Sequence, residues 1–111
     1  DGWLTIVDRK KDIIIRGGEN IAAAEVEAVL EAHAGVRQAA VVGYPDTRLG
    51  ERVCAFVIAD GRFGLDTCRA WFTERGIAKF KTPERVIQLD ALPLLGTGKV
   101  DRTGLRARAA R

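Results

Sequence analysis

Asp8-Arg9-Lys10-Lys11-Asp12-Ile13-Ile14-Ile15-Arg16-Gly17-Gly18-Glu19-Asn20 places a charged turn, a β-branched run, a double glycine and a helix entrance end to end, without a spacer. Three consecutive isoleucines predict a buried strand over Ile13–Ile15. The alternating Trp3-Leu4-Thr5-Ile6-Val7 upstream predicts its hairpin partner, with Asp8–Asp12 as the turn between them. Gly17 and Gly18 can take φ > 0 and let a backbone or a ligand approach where a Cβ would resist.

Outward from that stretch, the 111 residues are enough for one domain with a real core and too few to divide. A composition 47% hydrophobic and 30% charged excludes a disordered chain. The net charge of +3 is mild, and a solvated basic face accounts for it as well as an anionic partner does. Cys54 and Cys68 have neither metal spacing nor a disulfide pattern, so buried thiols in a reducing cytoplasm are expected. No apolar run approaches the ~20 residues a membrane helix needs, and no signal peptide is visible. The chain contains no methionine and opens at Asp1-Gly2, which predicts a piece of a longer polypeptide.

Downstream, Val26, Val29, Leu30 and His33 recur at helical steps and predict a helix over Ala22–His33, with Glu25, Glu27 and Glu31 mostly on its wet faces. His33 ends that apolar stripe and is expected to pack. Gly35 is expected to stop the helix in the left-handed region. Val36 and Ala39–Tyr44 predict a strand buried on both faces, Pro45–Gly50 a turn, and Arg52–Asp60 an antiparallel return strand. Asp66 is the expected N-cap of a helix to about Arg75, with Gly76 closing it and Leu65, Cys68, Trp71, Phe72 and Ala78 facing inward. Lys79–Pro83 is a basic connector, Arg85–Leu89 a short strand and Pro93–Gly98 a loop, after which Asp101 caps a last helix. The order is ββαββαβα. It predicts an α+β fold, a small two-layer sandwich of a mixed or antiparallel sheet with an N-terminal hairpin and about three helices.

Most chemical motifs fail on this chain. Gly96-Thr97-Gly98-Lys99 resembles the tail of a phosphate loop, but Pro93 stands at its first glycine and Val100 at its magnesium-binding Ser or Thr. One His and two Cys provide no zinc site, triad or thiol protease pair. Trp3, Phe56, Trp71 and Phe72 fall on inward positions, which argues against base-stacking recognition of nucleic acid. Two loops keep unusual local chemistry, Gly17-Gly18-Glu19-Asn20 and Leu95-Gly96-Thr97-Gly98-Lys99. A lysine ending a glycine-flanked loop can carry a compact charge to a phosphate or carboxylate. A surface turn with a solvated lysine fits the same residues.

Asp1-Gly2-Trp3-Leu4, Asp8–Asp12, Gly17-Gly18-Glu19-Asn20-Ile21, Glu25-Val26-Glu27 and Leu92-Pro93 to Gly98-Lys99 together resemble the C-terminal domain of the acyl-CoA synthetases. These belong to the adenylate-forming enzymes, with the luciferases and the adenylation domains of peptide synthetases. The likeness runs from the first residue to about Arg106. It implies that residues 1–111 are a mobile C-terminal domain, inactive alone, whose main partner is a larger N-terminal domain of the same enzyme. In such enzymes a carboxylate attacks the α-phosphorus of ATP, and the thiol of coenzyme A then displaces AMP. The small domain rotates between the steps.

Carried over by resemblance, Lys99 is the catalytic and ATP-binding lysine, Arg9 lies near the ATP ribose, and Lys11 is the hinge within the turn 8–12. Gly17, Gly18, Glu19 and Asn20 form the coenzyme A loop. Magnesium is expected with ATP, held outside this fragment, and Lys99 is an expected target of a lysine acetyltransferase. The resemblance points to fatty or aryl acids as substrates, with an acyl-AMP ligase or carrier-protein loader as the alternative within the family. A free-standing basic binding module is the alternative outside it. The chain departs from many relatives at Ala23, where a proline is usual, and in a shorter Gly61–Thr67 segment.

Overall fold

The computed structural model describes residues 12–110. The expected strand Trp3–Val7, and Arg9 and Lys11 of the turn 8–12, lie outside the described residues. The elements are β1 (Ile13–Arg16), β2 (Glu19–Ala22), α1 (Ala23–Glu31), β3 (Val36–Asp46), β4 (Gly50–Ala59), α2 (Leu65–Glu74), a 3-10 turn (Lys79–Lys81), β5 (Arg85–Gln88) and α3 (Arg102–Ala109). The α+β class holds, and the described elements also run ββαββαβα, but with β1 and β2 as the opening pair in place of the expected Trp3–Val7 and Ile13–Ile15. The strands form one sheet in the order β2-β1-β4-β3. β5 pairs in parallel with β4, while the other pairings are antiparallel.

β3 and β4 carry most of the core because their side chains are apolar on both faces, which only a strand covered twice can bury. Ala39, Val41, Val53, Ala55 and Val57 face α1 and α2, packing with Val26, Leu30, Cys68 and Phe72. Ala40, Val42, Cys54 and Phe56 face the other way, onto Leu105 and Ala109 of α3. The last helix thus adds a partial layer on the second face. Phe56 and Phe72 are fully buried on opposite faces. Truncating either to Ala is expected to cost about 3–5 kcal/mol. Cys54 and Cys68 are likewise separated by the sheet, and burial pushes both thiols up to about 12.

Several local expectations are corrected. Glu19–Ala22 is a strand and not a helix entrance, so among the described residues the hairpin is β1–β2. Only Ile14 of the isoleucine run is buried, at 3% exposure, while Ile13 and Ile15 are 43% and 52% exposed. Gly35 is not left-handed; its N–H instead donates to Nδ1 of His33, 3.0 Å away. The His33 ring packs edge-on against Phe63 and Trp71, in keeping with a packing role. Gly64, not Asp66, caps α2, without a side-chain bond, and Ile77 rather than the exposed Ala78 packs beyond its end. Glu27 is buried at 4% exposure rather than solvated. The other end signals hold: Gly76 is left-handed at φ 71°, and the Asp101 side chain accepts from the Gly104 N–H.

Candidate functional site

The double glycine is the two-residue turn of the β1–β2 hairpin, between paired Arg16 and Glu19. Gly17 has φ 57° and Gly18 φ 86°. Positive φ at both central residues is the hairpin turn whose twist matches its strands, which is why two glycines stand there. The Gly17 N–H donates to the Leu49 carbonyl at 2.8 Å, and a Cβ on Gly17 would come within 3.3 Å of Leu49 Cδ2. A Cβ on Gly18 would meet nothing within 4 Å, so that glycine turns a bare backbone to open space. Glu19 and Asn20 follow it and are exposed.

A charge network braces this turn. Arg16 donates through Nε and Nη2 to both carboxylate oxygens of Glu84, at 2.9 and 3.2 Å. Arg52 donates to Glu84 at 2.9 Å and to Asp46 at 2.8 Å. Asp46 in turn accepts the N–H groups of Arg48 and Leu49. Burial alone would raise the Glu84 carboxyl, but the hydrogen bond and charge of Arg16, together with the charge of Arg52, hold the group below its usual range. The Arg52 hydrogen bond likewise holds Asp46 low. A further prop lies behind the turn, where the Glu51 carboxylate accepts the Ile15 N–H at 2.9 Å. Gly43 leaves room for it, since a Cβ there would sit 2.5 Å from Glu51 Oε2.

Beside the turn opens a cleft of about 720 Å³, whose lining includes Arg16, Arg69, Thr73, Lys79, Thr82 and Glu84. Its size suits a small molecule, and with Arg16 paired to Glu84 its attraction for an anion falls to Arg69 and Lys79.

Lys99 stands on a second, separate hairpin. Leu94 pairs with Val100, the Leu95 N–H donates to the Lys99 carbonyl at 2.7 Å, and the Gly98 N–H to the Leu95 carbonyl at 2.9 Å. Gly98 makes the turn at φ 87°. Residues 93–99 are all exposed, and Leu94 and Leu95 keep 62% and 48% of their surface in solvent. At the hairpin's base, the Asp101 N–H donates to the Pro93 carbonyl, and α3 begins one residue later. This hairpin lies between β5 and α3 rather than at the head of a parallel βαβ unit, so it is no phosphate loop.

Gly17, Gly18, Glu19 and Asn20 therefore share one hairpin, and Lys99 occupies another. Nothing in the sequence singles out Glu84 and Arg102, and Glu27 reads there as a residue of a wet face. Glu27 had a signal, because it stands within the stripe Ala23, Val26, Leu30 at helical spacing. Among the described residues, no group of three or more His, Cys, Asp or Glu is placed to hold a metal ion. None of the described helices is long and apolar enough to cross a membrane.

Comparison with known proteins gives this geometry its context. The profile of the family described as AMP-binding enzyme C-terminal domain matches residues 25–99. The 2-hydroxy-7-methoxy-5-methyl-1-naphthoate–CoA ligase of Streptomyces carzinostaticus is 50% identical over 113 residues, covering 100% of this chain and 20% of that protein. The 2,3-dihydroxybenzoate-AMP ligase of Bacillus subtilis (strain 168) is 45% identical over 107 residues, covering 96% of this chain and 20% of that protein. Among solved structures, the amide bond synthetase McbA from Marinactinospora thermotolerans superposes with a TM-score of 0.82 at 37% identity, covering 90% of this chain and 20% of that one. The chain thus spans about a fifth of the length of the relatives it matches.

Proposed function

The chain belongs to the family of AMP-binding enzyme C-terminal domains, and on that premise we propose that it serves an ATP-dependent carboxylic acid:CoA ligase as its mobile, lysine-bearing part. The observation that carries the reading is the display of Lys99 at the end of an exposed, internally hydrogen-bonded hairpin. Such a tip can enter a neighbouring active centre without unfolding its own support.

In the first half-reaction a carboxylate oxygen attacks the α-phosphorus of ATP, and the bond to pyrophosphate breaks. Two anions must meet, and the Lys99 ammonium offsets their repulsion as charge builds in the transition state. In the second, a thiol sulfur attacks the acyl carbon, AMP leaves and the thiol proton is released. Gly17 and Gly18 then line the approach of the thiol, and the exposed face of Gly18 suits a narrow passage. Glu19 and Asn20 complete that loop. The cationic cleft beside Arg16 suits the phosphate-bearing part of the acceptor. Magnesium enters with the nucleotide and is held outside the described residues. Arg9 near the ribose and Lys11 at the hinge complete the proposal.

A second reading, an acyl-AMP ligase that loads another acceptor, draws on the Bacillus subtilis relative named for an AMP ligase. The test uses the full-length enzyme, with pyrophosphate exchange for the first step and thioester formation on coenzyme A or on a phosphopantetheine-bearing carrier for the second. Thioester on free coenzyme A is expected. An acyl-adenylate that persists in the presence of coenzyme A and discharges only to the carrier selects the second reading.

A further inference from the structure

We infer that Arg102 is a positioning residue for Lys99, anchoring the base of the Lys99 hairpin to the body of the domain through the buried Glu27 carboxylate. The inference rests on the reading of Lys99 given above, although the anchor itself is visible without it.

Glu27 lies on the inner side of α1, 4% exposed. A carboxylate so buried requires partners. Its Oε2 accepts the Val41 N–H at 2.9 Å and Arg102 Nη1 at 3.0 Å. The same Arg102 nitrogen donates to the Val41 carbonyl at 3.2 Å, and Arg102 Nε lies 3.2 Å from Asp12 Oδ2. One planar guanidinium thereby joins α1, β3 and Asp12, the residue ending the proposed hinge turn 8–12. The fork geometry matters, since two separate guanidinium nitrogens serve these partners where an ammonium offers a single point.

Arg102 is the first residue of α3, three positions beyond Lys99. Between them, the Leu94–Val100 pair and the Asp101-to-Pro93 bond make the hairpin a stiff unit. The exposed hairpin cannot take its aim from burial. It takes it from where its base is held, and the Arg102 fork is a charged contact three residues beyond Lys99. The contact to Asp12 has a second effect, making the hairpin and the end of the hinge turn move as one piece.

The test compares Arg102→Gln, Arg102→Lys and Glu27→Gln with Lys99→Ala in the full-length enzyme. Arg102→Gln is expected to lower the adenylation rate by about 10- to 100-fold, as small misplacements of a catalytic group do. KM for the acid and thioester formation from supplied acyl-adenylate should stay largely unchanged. Arg102→Lys should recover part of the loss. Amide hydrogen exchange at Leu95 and Gly98 should speed up in Arg102→Gln, a readout independent of turnover. Equal loss in both half-reactions would mean a merely structural residue and would overturn the inference, as would unchanged adenylation with unchanged exchange. If Arg102→Gln does not fold, Arg102→Lys and Glu27→Gln decide by the same readouts. Intact adenylation in Lys99→Ala would instead sink the reading of Lys99, leaving the exchange measurement to judge the anchor.

Discussion

The double-glycine turn and the Lys99 hairpin are both short, glycine-bearing and open to solvent, yet they are held in opposite ways. The first is inlaid. Its Gly17 N–H is bonded to Leu49, and Arg16, Glu84, Arg52 and Asp46 lock its base to the β3–β4 turn. The second stands clear, its Leu95-to-Lys99 and Gly98-to-Leu95 backbone bonds and the Leu94–Val100 pair all made within the hairpin itself. A fixed surface and a projecting arm need these different supports. In the proposed roles, a wall that shapes a passage must not shift, whereas an arm that reaches elsewhere must be rigid along its length and attached at its root.

Lys99→Ala in the full-length enzyme should divide the two regions most sharply. Adenylation is expected to fall by at least ~100-fold, the usual loss for a group that stabilises transition-state charge. Thioester formation from supplied acyl-adenylate should survive, and parallel loss of both steps would break the contrast. Gly18→Val should invert the pattern, slowing thioester formation while pyrophosphate exchange persists. The substitution also forces a β-branched residue to φ 86°, at a cost of roughly 1–2 kcal/mol readable in thermal unfolding. A normal thioester rate in that variant would remove the turn from the chemistry.

Glu84→Gln probes the inlay itself and should cost roughly 1.5–3 kcal/mol at neutral pH, a charge-assisted hydrogen bond's worth. Because the Glu84 carboxyl titrates below its ordinary value near 4.5 in the fold, its contribution is complete above that value. It is lost as pH falls through the lowered one. The stability gap between wild type and variant should therefore be flat at neutral pH and close in acid; a gap that persists there would mean the network acts by shape and not charge. Gly96→Ala should have the smallest effect, within about 0.5 kcal/mol. Its Cβ would meet nothing within 4 Å, and a measurable loss would show that the arm has contacts its geometry does not suggest.

The core of the fold was legible because β3 and β4 carry their own answer in unbroken apolar runs, and Gly76 and Asp101 punctuate helices by local chemistry alone. The β1–β2 hairpin was not. Glu-Asn-Ile-Ala has little strand propensity, so a turn signal, the double glycine between short segments, had to outweigh composition. Ile13 and Ile15 misled because a run of like residues hides the alternation that β1 imposes on it. Glu27 misled because a glutamate on a helix is ordinarily wet, and its partners Val41 and Arg102 lie 14 and 75 positions away. The loops were visible as chemistry, but their tasks came from resemblance, since neither spacing nor charge says what a projecting lysine meets.

One edge of β4 is shared, β1 meeting it at Gly50 and β5 at Cys54–Val57. β3, by contrast, pairs along nearly all of the other edge through a tight connection. Ring closure is cheapest for that local pair, so it is expected to form the nucleus on which the remaining strands assemble. The glycine-turn hairpin meets β4 by a single rung beside its charged lock, so it would dock after that pair and open before it. Native-state exchange should find its amides opening at lower free energy than those of the β3–β4 pair.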